Sequence, residues 1–198
     1  MYPEKETIHS IEIQKSEFIC YLKHVESEEE FKEYLSAIRK KHYDATHVCS
    51  AFICHDLYRS NDDGEPSGTA GKPILNVLIK RQLDETCALV VRYFGGTKLG
   101  AGGLIRAYGN AVSECLKQAV LVENRVYPKY SLKTGYETGN RISEYLKKHT
   151  VLLNTIYDTE VTFIFALDDI GKLEKIKEYT KGTLPQLIGE ENIRKVVE

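Results

Sequence analysis

The sequence predicts an α+β protein built from two domains. Apolar residues alternate at period two in some stretches and recur at helical spacing in others, the mark of mixed strands and helices. Nine of the 14 glycines fall between Gly64 and Gly109. That pattern stops around residues 122–128, and a second unit then begins with the order β-α-β-β-α-β, the split arrangement of ferredoxin-like domains. The 198 residues leave each part enough chain to bury a core of its own. The expected domains are 1–125 and 126–198.

In chain order, residues 8–13 alternate loosely and Phe18-Ile19-Cys20-Tyr21-Leu22 is an apolar, β-rich run, so two strands joined near Lys15-Ser16 are expected. Ser27 followed by Glu30 reads as a capping box. Phe31, Tyr34, Leu35 and Ile38 then recur at helical spacing, predicting a helix over 28–41. Residues 46–54 read as a strand with His47, Cys49, Ala51 and Ile53 on one face and Val48, Ser50, Phe52 and Cys54 on the other. A polar loop follows, and Pro73 suits the first turn of a helix over about 70–82. Residues 86–92 form a continuous apolar run, the pattern of a strand covered on both faces. Beyond a glycine loop, Tyr108, Ala111, Val112, Cys115, Leu116 and Ala119 make the stripe of a helix over about 103–119. The second unit reads as a strand at 130–136, a helix at 140–149, a hairpin of 151–157 and 160–167, a helix at 170–180 and a last strand after Gly182.

Composition excludes several classes. The 27 basic and 29 acidic side chains leave a net charge of -2, so no global field draws the chain to nucleic acid or to an anionic membrane. No apolar stretch approaches the roughly 20 residues that cross a bilayer, and no leader-like segment opens the sequence. A cytoplasmic protein with no membrane partner is expected. Five cysteines without a C-x-x-C pair read as reduced core residues, not as disulfides or a zinc cluster. A narrower window is more informative. Residues 70–113 carry Lys72, Lys80, Arg81, Arg92, Lys98 and Arg106 against only Asp84 and Glu85.

Two segments could carry chemistry. In the first, Asp62, Asp63 and Glu65 precede the small-residue turn Ser67-Gly68-Thr69-Ala70-Gly71-Lys72, which feeds a helix N-terminus. Free N–H groups and the helix dipole would favour an anion there. The three acids could instead ligate a hard cation, act as general bases, or merely build the turn and cap the helix. Pro66 stands where a Walker A loop needs glycine, and Pro73 follows Lys72, so ATP binding of that kind is excluded.

In the second segment a buried strand emits Arg92, Tyr93 and Phe94, and a loop of Gly95, Gly96, Lys98 and Gly100 then enters a helix bearing Arg106. Backbone N–H groups and cations could converge on a phosphate while the aromatics stack on bases. Alternation at a strand end sends one of the two aromatics into the core. Gly100-Ala101-Gly102 opens a dinucleotide fingerprint, but Ile105 occupies its closing position, and no cofactor is expected. For acid, base or nucleophile work the remaining candidates are His47, Cys49 and His55. His47 and Cys49 share a strand face about 7 Å apart, an awkward distance for direct proton transfer.

These motifs are specific enough to compare. Thr46-His47-Val48-Cys49-Ser50-Ala51-Phe52, the run from Asp62 to Pro73 and the run from Val90 to Tyr108 together resemble the IMPACT/YigZ family over nearly the whole chain. The resemblance implies a first domain folded as a β/α sandwich like the second domain of a small-subunit ribosomal protein, followed by a ferredoxin-like domain. It also implies a link to translation, because eukaryotic members act in translational control, although through a further domain that these residues do not include. The leading expectation is therefore a non-catalytic, translation-associated factor that binds RNA or the ribosome through Arg92, Tyr93, Phe94, Gly95, Gly96, Lys98, Gly100 and Arg106, with Lys72, Ser67 and Thr69. The alternatives are a hydrolase-like enzyme that uses the acidic loop on a small phosphate-bearing or peptide-like substrate, and a protein-binding adaptor.

Overall fold

The structure is a computed structural model that describes residues 1–197. The chain divides into two compact units, Met1–Glu123 with the last residues from Val196, and Asn124–Lys195. In the first unit the elements are β1 (Tyr2–Pro3), β2 (Thr7–Ile13), β3 (Ser16–His24), α1 (Glu28–Lys41), β4 (His47–Cys54), β5 (Leu57–Asn61), α2 (Gly71–Lys80), β6 (Thr86–Tyr93) and α3 (Gly100–Gln118). Strand β7 (Leu121–Thr134) runs from the first unit into the second, which continues with α4 (Tyr136–His149), β8 (Val151–Tyr157), β9 (Val161–Ala166), α5 (Lys172–Tyr179) and β10 (Gln186–Val196).

The first unit is a five-stranded antiparallel sheet in the order β2-β3-β6-β4-β5. Both faces are covered. Phe18, Cys20, Leu22, Cys49, Ala51, Ala88 and Val90 pack with Ile74 and Leu78 of α2 and with Leu104, Tyr108 and Val112 of α3. The alternate residues Tyr21, Val48, Phe52, Cys87, Leu89 and Val91 pack on the other face with Phe31 and Ile38 of α1. Burial on two sides explains why central β6 is apolar without alternation, as its sequence predicts. Helix α1 starts where Ser27 Oγ accepts the Glu30 N–H, and the Glu30 carboxylate in turn accepts the N–H of Glu26.

Several elements depart from the sequence reading, among them the short β1, which it did not contain, and β7, which starts at Leu121 instead of residue 130 and ends at Thr134. The polar loop after β4 is a strand, β5, whose residues are almost all exposed at the edge of the sheet. Its turn contains His55 at φ 52, held by Asp84, which accepts the His55 N–H at 2.6 Å. Helix α3 begins at Gly100, so three residues of the expected loop are helical. Helix α4 begins at Tyr136 and absorbs Gly139, where an added Cβ would make ordinary contact with Val161 and Phe163 at 3.4–3.6 Å.

In the second unit β7, β9 and β8 lie side by side with β10 also on β7, in the order of elements β-α-β-β-α-β. Tyr130, Leu132, Phe163 and Phe165 of this sheet bury against Ile142 and Leu146 of α4 and Ile176 of α5. The five cysteines are all free, and Cys54 alone among them is not buried.

The two-sided core makes the cost of truncation depend on layer. Phe52→Ala, which removes a fully buried ring stacked on Phe31 at 5.0 Å, should cost about 3–5 kcal/mol in urea unfolding. Ile156→Ala, at a side chain 46% exposed in β8, should stay within about 0.5 kcal/mol.

Candidate functional site

The acidic turn is built from within. Asp62 Oδ1 accepts the N–H groups of Ala70 and Gly71 at 3.0 and 2.8 Å, and its Oδ2 accepts that of Gly68 at 2.8 Å. It thereby caps α2, whose N-cap residue Ala70 has no side-chain acceptor of its own. Burial alone would raise the Asp62 pKa, but the three backbone donors, with Lys72 nearby, outweigh it and hold the carboxyl below its ordinary value. Asp63 sits at φ 46, its Oδ2 accepting the Val48 N–H at 2.7 Å and its Oδ1 the Arg39 guanidinium at 2.6 Å. Thr69 turns its hydroxyl onto the Pro66 carbonyl, and Ser67 and Lys72 are exposed. Two of the three acids are thus spent on the turn. Among the described residues no group of three His, Cys, Asp or Glu side chains is placed to hold a metal ion.

Glu65 does something different. Its side chain is 3% exposed, and Oε1 accepts both Nη1 of Arg92 at 2.5 Å and the Tyr108 hydroxyl at 2.7 Å. Arg92 is itself 6% exposed, its guanidinium carbon 5.4 Å from the ring centres of Phe18 and of Phe94. Its register explains the meeting, since Arg92 pairs with Phe18 on β3 and with His47 on β4. His47 donates from Nδ1 to the Asp63 carbonyl at 2.8 Å, because a carbonyl can only accept, and its Nε2 lies 3.9 Å from Glu65 Oε2. Cys49 points its thiol at the Asp62 carbonyl and the Tyr108 hydroxyl, and burial pushes it up to about 12, so it stays protonated and inert as a nucleophile. Tyr108, which the sequence reading placed only in the core stripe of α3, is part of this network. A hydroxyl in an otherwise apolar helical stripe was the signal that it needed a polar partner.

The glycine loop closes the site from the other side. Tyr93 is half-buried against the α1 layer, its hydroxyl bonded to His42 and Asp44. Phe94 is 46% exposed, so of the two aromatics it is the one that faces out. The Phe94 N–H donates to Thr46 Oγ1 and the Gly95 N–H to Ser16 Oγ. Gly95 has no room for a side chain, because an added Cβ would lie 1.9 Å from the Lys15 carbonyl oxygen. Gly96 takes φ 86, which only glycine adopts without strain. Leu99, at the N-cap of α3, supplies no side-chain acceptor, so the first N–H groups of this 19-residue helix have no side-chain cap.

Between turn and loop lies a cavity of about 450 Å³. His47, Glu65 and Arg92 line it together with Phe94, Lys98, Gly100 and Ala101, and Thr46, Pro66, Leu99 and Leu104 complete its wall. The last four and Ala101 lie within the motif segments but were not named as site residues from the sequence. Arg106 lines a separate groove, and Asp62, Asp63, Ser67, Thr69, Lys72, Gly95 and Gly96 shape the surroundings without forming the wall. The arrangement offers an aromatic face, the Lys98 cation, which has no ion pair among the described residues, helix N–H donors, and a histidine ring beside a buried carboxylate. Its chemistry suits an anion carrying a flat ring.

Comparison with known proteins bears on the whole chain. The Impact N-terminal domain family matches residues 14–116. The chain is 48% identical over 155 residues to "IMPACT family member YvyE" of Bacillus subtilis (strain 168), covering 77% of this chain and 71% of that protein. It is 35% identical over 189 residues to "IMPACT family member YigZ" of Escherichia coli (strain K12), covering 91% and 93%. A solved structure described as "Crystal structure of an hypothetical protein" superposes with a TM-score of 0.60 at 33% identity, over 96% of this chain and 97% of the other.

Two substitutions test the construction of the site. Glu65→Ala leaves the Arg92 charge buried without its partner, and urea unfolding should show a loss of about 3–5 kcal/mol. Asp62→Ala should cost about 1–3 kcal/mol at pH 7. Because the folded pKa of Asp62 lies below 3.8, its contribution is complete above that pH and is lost as pH falls through the folded value, so wild type and variant should converge in stability in acid.

Proposed function

The chain belongs to the IMPACT family, and on that premise we propose that it is a translation-associated regulatory factor that binds RNA, free or on the ribosome, through the glycine-loop cavity. The translational setting comes from the family resemblance. The observation that carries the RNA reading is the exposed Phe94 ring, set beside Lys98 and the N-terminus of α3.

An unstacked base lying on an exposed aromatic ring is the commonest way a protein holds single-stranded nucleic acid. Lys98 has no carboxylate partner among the described residues and can serve a phosphate, as can the N–H groups that open α3. A volume of about 450 Å³ falls in the range of pockets for small ligands and admits one nucleotide, not a duplex. Arg92 takes a different part from the one its sequence position suggests. Bound to Glu65, it braces Phe94 from below, and phosphate binding falls to Lys98 and the backbone.

One observation favours a second reading, an enzyme acting on a small phosphate-bearing substrate. The His47 ring, anchored through Nδ1 to the Asp63 carbonyl, lines the cavity wall beside Glu65, where an imidazole can exchange protons with a substrate. His47→Gln separates the two, since it would abolish turnover in the enzyme and leave RNA affinity nearly unchanged in the binding protein.

Purified protein should co-sediment with ribosomes and retain RNA oligomers at low salt. Phe94→Ala should weaken RNA binding by about 1–3 kcal/mol, roughly 5–150-fold. Lys98→Ala should reduce the slope of log affinity against log salt by about 0.7. Protein that neither co-sediments with ribosomes nor retains RNA at low salt would overturn the reading.

A further inference from the structure

A second and larger groove, of about 810 Å³, lies on the α2–α3 face of the same unit. Its polar lining comes from three places in the chain: Asn76 and Lys80 on α2, Arg106, Asn110 and Ser113 on α3, and Gln14 in the β2–β3 turn. No carboxylate lines it. Lys80 and Arg106 form no ion pair among the described residues, whereas the nearby acids Asp84 and Glu85 are engaged by His55 and His24. The groove is therefore a strip of uncompensated positive charge in a chain whose net charge is -2.

The spacing of these residues is not incidental to the core. On α3 the residues Ala107, Tyr108, Ala111, Val112 and Cys115 face the sheet, and Arg106, Asn110 and Ser113 follow one another along the flank at intervals of four and three. Asn76 and Lys80 stand four apart on α2 and form the facing wall. The groove also adjoins the Phe94 cavity, because Leu99 belongs to the walls of both. From Gly100 to Arg106 the helix rises about 9 Å, the length of roughly three stacked nucleotides.

We propose that the α2–α3 groove is a backbone track for single-stranded RNA, continuous with the Phe94 cavity, in which Lys80 and Arg106 hold phosphates and Gln14, Asn76, Asn110 and Ser113 hydrogen-bond to ribose hydroxyls or base edges. This rests on the RNA reading of the cavity and extends it from one nucleotide to several. The lining chooses RNA over an acidic protein segment. Three amides, each able to donate and accept, and the Ser113 hydroxyl, whose proton goes to the Gly109 carbonyl and whose oxygen still accepts, surround only two cations, which matches the mixed hydrogen-bonding of ribose and bases better than a row of carboxylates.

Fluorescence anisotropy with labelled oligoribonucleotides of three and eight residues tests the proposal. The wild type should bind the longer oligomer at least ten-fold more tightly. The exposed double substitution Lys80→Ala with Arg106→Ala should remove that gain, lower the salt slope for the longer oligomer by about 1.4, and leave the shorter one unaffected. The charge-conserving pair Lys80→Arg with Arg106→Lys should restore the slope. Phe94→Ala should weaken both oligomers. Binding of both oligomers that depends on Phe94 but is indifferent to Lys80 and Arg106 would overturn the track alone. Failure of the wild type to bind either oligomer would overturn the cavity reading with it. A glutamate-rich peptide that binds through Lys80 and Arg106 where the longer oligomer does not would give the groove to an acidic protein segment and also refute the proposal.

Discussion

The Glu65 carboxylate joins three parts of the first unit that lie far apart in the chain: the acidic turn on which it sits, the central strand through Arg92, and α3 through Tyr108. Withdrawing both charges from water costs several kcal/mol for each ion, which their mutual contact and their further neighbours must offset. Glu65 gains a second donor in Tyr108, and Arg92 lies between two aromatic rings. The Nε of Arg92 is buried without a hydrogen-bond partner among the described residues, a debit that the pair must also carry. The cavity floor inherits its polarity from this arrangement. It is charged but internally neutral, which leaves the outward-facing Lys98 to set the sign seen by a ligand.

The same logic separates what the sequence shows from what it hides. Strand β4 and helix α1 are legible because each buries one regular stripe, and β6 is legible because both its faces are covered. Strand β5 is not, because an edge strand with exposed side chains needs no apolar alternation, and its turn relies on Asp84 from elsewhere in place of an Asn-Gly signal. The start of α3 is hidden by its glycines, which are poor helix formers and the first of which, Gly100, takes φ 69.

In the candidate site, residue types were visible and their allegiances were not. Asp62, Asp63 and Glu65 look equivalent in sequence, yet the first closes the turn, the second ties it to β4 and α1, and the third crosses to β6. Arg92 and Lys98 look like one cationic pair, but burial assigns Arg92 to the interior and leaves Lys98 in solvent. Partners remote in sequence decide each case, so no local pattern could have announced them. The excess of basic residues between 70 and 113 is different. It survives into the structure because Lys80, Lys98 and Arg106 stay unpaired among the described residues on the surface of α2, α3 and the loop.

The placement of β6 between β3 and β4 has a kinetic consequence. Phe18 of β3 meets Arg92, so the pairing that completes the sheet closes a loop of more than seventy residues. During synthesis the β2–β3 hairpin, α1 and the β4–β5 hairpin all emerge before the strand that unites them. Until β6 arrives, the inner edges of β3 and β4 remain open and their apolar faces stay exposed to collision with other chains. A sheet assembled from its centre last belongs among slow, non-local folders.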